Sequence, residues 1–585
     1  MKKRIIVLSI FSIALTSCGV TTSFSSMSSG IFSSTSSEEI NTCEHSLLES
    51  EKKLPTLLET GLNEIRCVKC GQTSEKVTYD LSQYVFEDGY FMYDGNAHDL
   101  TIKGLLPYGV TVEYENNSLK EIGQKEVTAH IYNDKHELID SKKAKLNIIE
   151  NTGFPNIYID TNNVAIKDKE NYVDMTLKTT NCDSKYIIDN LQGGIRLRGN
   201  GTLTYDKKAY RLKFSGKSNL LGLNNGLKAK SWVLIADYAD QSMMRNATAF
   251  YMGNSLLNYS NNYCSSYKHV NVYLNGSYNG VYLLAEQQQA NAGRINIKEP
   301  ATDYTGTDIG YLLELDNYAK EEDYYFEIGN NWGDQVNGVN LPRKAYSIKS
   351  DISSNEQVNY IKKYLSNVYS ALMRIVKGEG LYLVNEQHEL VASPYDNAFE
   401  TINSFIDLES MFKMYLLHEI MKNVDVGFSS FYMFVDFSNN SKYPRLTFGA
   451  PWDFDWSSGN VNESPYTTYA GEYNSTNFGH LNPWFYLLSK TDFFKDLIKK
   501  YYRLYLDSGI LDGAIAQANY EADAFKSEFA RNYEKWKTLG TIIYKYTPND
   551  AKSWKVHKDA VNHLTNWLKN RKIALDSYFG KSEEN

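Results

Sequence analysis

The segment Ala450-Pro-Trp-Asp-Phe-Asp-Trp-Ser-Ser-Gly-Asn460 sets two carboxylates, Asp453 and Asp455, one residue apart among Trp452, Phe454 and Trp456. Read as a strand, it has a period of two that puts both acids on one face, where they repel unless something positive lies between them. A divalent cation meets that need. The sequence just before it supplies a setting. "MFKMYLLHEIMKNVDVGFSSFYMFVDF" (411–437) reads as a long apolar helix ending at Asn423, with Asp425 in a short loop. Ser430 lies five residues on and opens the strand "FYMFV". A second strand, "RLTFG", then runs into the Asp453/Asp455 pair.

Three earlier segments add to this. In "GGIRLRGNGTLTYDKKAYRLKF" (Gly193–Phe214) a Gly-rich turn joins two strands. With Arg196, Arg198 and later Lys213 it offers backbone N–H groups and cations to a phosphate chain, although Gly-Asn-Gly also builds ordinary hairpins. "SWVLIADYADQSMMRNATAF" (Ser231–Phe250) reads as a buried strand running into a helix with Arg245 and Asn246 near its start. "VNVYLNGSYNGVYLLAEQ" (Val270–Gln287) is a β-hairpin turned at Asn275-Gly276, whose second strand delivers Glu286. A strand-end acid can orient a lysine that holds nucleotide phosphates, or form a surface ion pair.

Helix, loop Asp, polar residue at +5, strand, strand, metal-type Asp is the order of the protein-kinase catalytic loop and its Asp-Phe-Gly segment. Taken together, the Arg-Gly-Asn turn with "YRLKF", the Asp240…Arg245-Asn246 junction, "YLNGSYNGVYLLAEQ", "NVD", "PWDFD", "NPWFYLL" and "NWLKNRKIALDSYF" resemble the CotH family of spore-coat-type atypical protein kinases. The resemblance runs over about 155–580. It implies an atypical kinase fold that binds ATP with Mg²⁺ or Mn²⁺ and phosphorylates Ser of a protein substrate. It makes Asp425 the general base, gives the metal to Asp453 with Asp455 and Ser430, and gives the nucleotide to Arg198, Asn200, Lys213 and Glu286. Two features depart from the family pattern. The turn reads "RGNGTL" where Ser-Thr-Trp often follows the Asn, and position 430 is Ser, a shorter neutral ligand, where kinases prefer Asn.

The N-terminus predicts export. "MKKR" is a basic n-region, "IIVLSIFSIAL" an apolar stretch too short to span a bilayer as a mature helix, and Leu15-Thr-Ser-Cys18 resembles a lipoprotein processing site. Cys18 would carry the lipid of an extracytoplasmic, membrane-anchored protein; an ordinary secretory signal or an unprocessed anchor is the alternative. Residues 19–40, with nine Ser and three Thr, read as a flexible tether. In 41–76, Cys43-x-His45 and Cys67-x-x-Cys70 match a zinc-ribbon-like structural site, with disulfide pairing as the oxidising-compartment alternative. Residues 78–150 alternate in short runs and resemble bacterial Ig-like surface repeats, an all-β sandwich.

Length and composition agree with several folded parts. The chain has 585 residues, of which 42% are hydrophobic and 14% aromatic. A formal charge of −9 gives no basic footprint for nucleic acid. The expected architecture is α+β: one large domain over 155–580, with helices near 355–377, 405–423 and 484–506, behind the zinc-ribbon-like and Ig-like segments. The expected function is a lipid-anchored kinase acting on a protein substrate. The alternative is a non-catalytic adhesive or structural protein, with cell-wall or surface partners, built on an inactive kinase fold. A glycan-directed protein is a third reading, set against by the closeness of Asp453 and Asp455.

Overall fold

Residues with apolar side chains at every second position build the scaffold that carries the site. In the computed structural model, which describes residues 46–93, 95–149, 153–257, 262–461, 466–467 and 481–579, seven strands close into a barrel. Its order is Asn156–Asp160, Val173–Thr180, Leu191–Arg198, Ala209–Ser218, Ala229–Ile235, Ser277–Glu286 and Tyr267–Leu274. All neighbours are antiparallel except the closing pair, in which Asn156–Asp160 runs parallel to Tyr267–Leu274. Ile157, Leu177, Ile195, Leu212, Trp232, Val272 and Leu284 fill the interior. Closure removes the sheet edges. The Asn275-Gly276 turn is as expected: both residues have positive φ, 47° and 78°, as a type I′ hairpin turn requires.

A five-stranded antiparallel sheet follows, in the order Tyr325–Ile328, Lys344–Ile348, Gly310–Leu315, Phe431–Asp436, Thr447–Phe448. It packs with helices in the largest apolar core, where Leu313, Met433, Leu365, Leu417, Trp484 and Leu568 are fully or almost fully buried. The helix Asn355–Val376 carries a complete capping box from Ser354 and Gln357. The expected helix over 484–506 is two helices, Pro483–Ser489 and Phe494–Asp507; the first starts on the Asn482 cap and the chain turns at Lys490–Phe493. The last helix, His557–Phe579, ends the described chain.

Residues 77–149 are all-β. Gly89–Met92, Leu138–Ile149, Gly123–Tyr132 and Thr111–Glu115 form a four-stranded sheet in that order, and Tyr84–Val85 pairs with Lys103–Gly104. Phe86, Leu100, Val127, Ala129, Ala144 and Leu146 form their own small core. This segment belongs to one compact unit with 51–63 and everything after it; Leu105 joins the main core and Gln83 accepts a hydrogen bond from Lys413.

A second unit holds 64–76 and, among the described residues, 46–50. There the Cys67 N–H donates to Gln72 O and the Gly71 N–H to Cys67 O, both at 2.8 Å, so Cys67-x-x-Cys70 forms a tight turn with Cys67 buried and Cys70 exposed. Cys43 and His45, the other half of the expected zinc set, lie outside the described residues, as does Cys18. Among the described residues no helix is long and apolar enough to cross a membrane.

Candidate active site

The site is assembled from two loops locked to each other. The helix Leu408–Met421 stops where Lys422 turns left-handed, and the chain passes through Asp425 to the strand Phe431–Asp436. Asn423 ties this loop to the one after Phe448: its Oδ1 accepts from Asp425 N and its Nδ2 donates to Asp453 O, each at 3.0 Å. Ser430 makes a second tie. Its hydroxyl donates to Asp453 Oδ2 at 3.0 Å, while its N–H donates to Glu314 Oε1 at 3.1 Å.

The segment that carries Asp453 is a loop, which corrects the strand reading. Strand pairing stops at Phe448. Pro451 has no N–H to donate, and Asp453 is left-handed at φ 64°, so the period of two is broken. The carboxylates meet all the same, because the Asp455 carboxyl hydrogen-bonds Asp453 across the turn. Burial pushes Asp455 well above the usual carboxylate range, and Asp453, Asp237 and Asp425 add to the rise. Burial and the neighbouring acids thus disfavour the charged form of Asp455.

The helix Arg245–Leu256 braces this loop from the barrel side. Asn246 Oδ1 accepts from Phe454 N, and its Nδ2 donates to Asp237 Oδ1, both at 2.8 Å. Arg245, paired with Asp240 in full burial, donates to the carbonyls of Ser457 and Ser458 at 3.0 and 3.1 Å. Asp237 is a fourth carboxylate that the sequence reading did not single out. It stands just beyond the strand Ala229–Ile235, its Oδ2 buried and without a hydrogen-bond partner. The signal was there: an acid just past an apolar strand, eight residues before the Arg-Asn pair.

Two lysines come close to these acids. Lys344 Nζ donates to Gly427 O, two residues past Asp425; burial pushes it down to about 8, with the Asp425 charge pulling the other way. It lines a cavity of about 440 Å³ with Asp316, Asn317 and Phe428. Lys207, fully buried, donates to the carbonyls of Ala236 and Val281 and lies near Asp237.

The expected nucleotide contacts divide. Arg198 sits at the site, its guanidinium 5.3 Å above the Trp452 ring. Lys213 is exposed and stands over Tyr172 instead. The Asn200 side chain accepts from Lys169 at 2.8 Å. Glu286 was expected to orient a lysine; its cation is Arg294, at 3.0 Å in full burial, with Asn224 and the Ser266 N–H completing its bonds. The loop 289–293 brings Arg294 back beneath the strand end, which no spacing in the sequence announces.

Asp453, Asp455 and Ser430 are all oxygen donors, the hard set that suits Mg²⁺ or Mn²⁺ when phosphate oxygens and water complete the shell. Among the described residues no three His, Cys, Asp or Glu converge as a ready-made cage. Two close carboxylates, with the charged form of Asp455 disfavoured by burial, fit a cation bound with its phosphates.

A family model described as CotH kinase protein matches residues 195–575, well over half of the chain. The chain belongs to the CotH kinase family. No curated protein matches the chain. The CotH match begins in the barrel strand Leu191–Arg198 and ends in the last helix, so it spans Arg198, Asp237, Asp425 and Asp453 and leaves the all-β segment outside.

Proposed function

We propose that the CotH domain of this chain transfers the terminal phosphoryl group of ATP to a serine hydroxyl of a protein substrate. The observation that carries the reading is the lock between the Asp425 loop and the Asp453 loop through Asn423 and Ser430. A kinase needs a proton acceptor and a phosphate-binding acid at fixed separation, because positioning and electrostatics supply most of the catalysis.

Asp425 accepts the proton of the serine hydroxyl as the new O–P bond forms. The bridging P–O bond to the β-phosphate breaks, and ADP leaves. Mg²⁺ or Mn²⁺, when bound, neutralises phosphate charge, and Asp453, Asp455 and Ser430 would hold it. Arg198 faces the phosphates from the barrel. Lys344 keeps a positive charge beside Asp425 on the side of the 440 Å³ cavity, where an acceptor side chain can enter.

The N-terminal features extend this to place and partner. A lipid on Cys18, the Ser-rich tether, a zinc-ribbon-like element using Cys43, His45, Cys67 and Cys70, and an Ig-like spacer would hold the kinase outside the membrane, facing exported protein substrates. One observation favours the non-catalytic reading, a surface protein on an inactive kinase fold: Glu286 and Asn200 already have internal partners.

Calorimetric titration of ATP with Mn²⁺ into the full chain tests the binding half. Metal-dependent binding that disappears in Asp453→Asn is expected. Equal affinity in the variant would remove Asp453 from the nucleotide site.

A further inference from the structure

A cavity of about 650 Å³ lies where the all-β segment meets the rest of its compact unit. That volume falls within the roughly 300–1,000 Å³ of small-molecule sites. Glu87 and Lys103 of the all-β segment form one side, and the start of the strand Tyr267–Leu274, the loop that carries Arg294 and the turn at Tyr443 form others. Glu87 and Lys103 precede the CotH match, so the cavity belongs to this chain's own arrangement rather than to the matched domain alone. None of Arg198, Asp425, Ser430, Asp453 and Asp455 lines it.

Its lining is polar yet close to neutral. Lys103 pairs with Glu87 at 2.7 Å, and Arg294 with Glu286 at 3.0 Å. The remaining cation among the lining residues, Lys442, is exposed. What faces the space is amide and phenol. The side chains of Asn225, Asn262 and Asn296 and the Tyr267 hydroxyl line it with no hydrogen-bond partner among the described residues. Asn262 is only 5% exposed, so its amide has little but the cavity to bond to, and a buried amide left unpaired is costly. Tyr263 and Tyr443 add buried ring surface beside Tyr267.

We propose that this cavity binds a neutral saccharide, with Asn262 and Tyr267 as its central polar contacts. Sugar hydroxyls both donate and accept, and an amide does the same, while tyrosine rings suit the apolar face of a sugar ring. An anion would find the buried guanidinium of Arg294 already held by Glu286. A peptide segment needs pockets for its side chains, and only Val85, Leu223 and Ala292 of the lining are aliphatic. Glu87 is the one carboxylate among the lining residues, so the site lacks the pair of acids that cleaves a glycosidic bond, and binding alone follows. The proposal is independent of the kinase reading.

The test titrates three neutral trisaccharides, maltotriose, cellotriose and tri-N-acetylchitotriose, into the full chain and into Asn262→Leu/Tyr267→Phe by calorimetry. At least one is expected to bind the natural chain and to lose about tenfold or more in the double variant, which lacks two hydrogen-bonding groups of the site. Ligand-free, the double variant is expected to melt no lower than the natural chain, because neither group it removes has a partner there; a merely structural role would lower the melting point. Asn296→Ala alone should lose less than the double variant. Saturating ATP with Mn²⁺, and Asp453→Asn, should leave saccharide binding unchanged. If none of the three binds, or the double variant binds equally, the saccharide site falls. Displacement of the saccharide by ATP would overturn it as a separate site and assign the cavity to the nucleotide.

Discussion

The His418 ring lies on the Phe454 ring, centroids 4.8 Å apart and planes 22° from parallel. His418 belongs to the helix that ends before Asp425, and Phe454 separates Asp453 from Asp455, so the stack holds the base loop and the metal-type loop in one register. Burial pushes His418 down to about 3, and neither ring nitrogen has a hydrogen-bond partner. This histidine is an uncharged packing group.

Phe454→Ala should therefore cost about 3–5 kcal/mol of stability. Metal-dependent nucleotide affinity should fall as well, since the two loops lose their spacer. Phe454→Leu, which fills most of the space, should recover most of the stability in denaturant melts but less of the affinity. Equal recovery of both would mean that the stack serves packing alone.

The Asp453–Asp455 pair makes stability depend on pH and cation. The folded pKa of Asp455 is raised, so its contribution is present below the ordinary carboxylate range and lost as pH rises toward the folded value. Metal-free protein should lose melting temperature over that rise, and Mn²⁺ should restore it, increasingly so at higher pH as Asp455 ionises. Asp453→Asn should abolish the restoration and be at least as stable without metal. A metal effect independent of pH would contradict the upward shift of Asp455.

His269 and Glu521 form a buried pair, 2.5 Å apart, that joins the barrel to the helix Ile510–Ala524. Burial opposes the imidazolium, but the Glu521 charge and hydrogen bond outweigh it and raise His269 above its ordinary value of 6.5. Glu521 is correspondingly lowered below 4.5, despite its burial. The pair's contribution should be full between those two ordinary values. It should fade as pH rises through the folded His269 value, and again as pH falls through the folded Glu521 value. Glu521→Gln should cost about 3–5 kcal/mol near pH 6 and flatten the alkaline loss. Chemical denaturation across pH reads both.

Arg571 of the last helix grips Glu419 of the helix before the Asp425 loop, reaching both its carboxylate, at 2.5 Å, and its backbone carbonyl. Arg571→Ala would take this guanidinium away from the buried Glu419 carboxylate, at a cost of about 3–5 kcal/mol. The double change Arg571→Met/Glu419→Met should cost less than the single one. A double variant weaker than Arg571→Ala would show that the pair adds net stability.

What the sequence disclosed was local. The Asn275-Gly276 hairpin, the helix before Asp425 and the strand opened by Ser430 follow from short-range rules and stand where they were expected. Barrel closure was hidden, because Asn156–Asp160 pairs with Tyr267–Leu274 more than a hundred residues away and no pattern in either strand names its partner. The Asp453/Asp455 proximity was read correctly for a mistaken reason: alternating aromatics imitate a strand, while a left-handed turn brings the acids together. Glu286 and Asp237 show the same limit in opposite directions. A strand-end acid is easily seen, but whether it meets a cation, as Glu286 meets Arg294, or keeps a buried oxygen without a hydrogen-bond partner, as Asp237 does, depends on loops whose course is set by tertiary packing.

The most direct test of the central claim is transfer of label from the γ-phosphate of ATP, with Mn²⁺ or Mg²⁺, to the full chain or to a serine-containing protein, beside the Asp425→Asn form. Label on serine with the natural chain, and loss of at least about a hundredfold in rate with Asp425→Asn at unchanged nucleotide affinity, is the predicted result. Equal labelling by both forms would show that Asp425 is not the base, and no labelling by the natural chain despite metal-dependent ATP binding would contradict the kinase assignment itself.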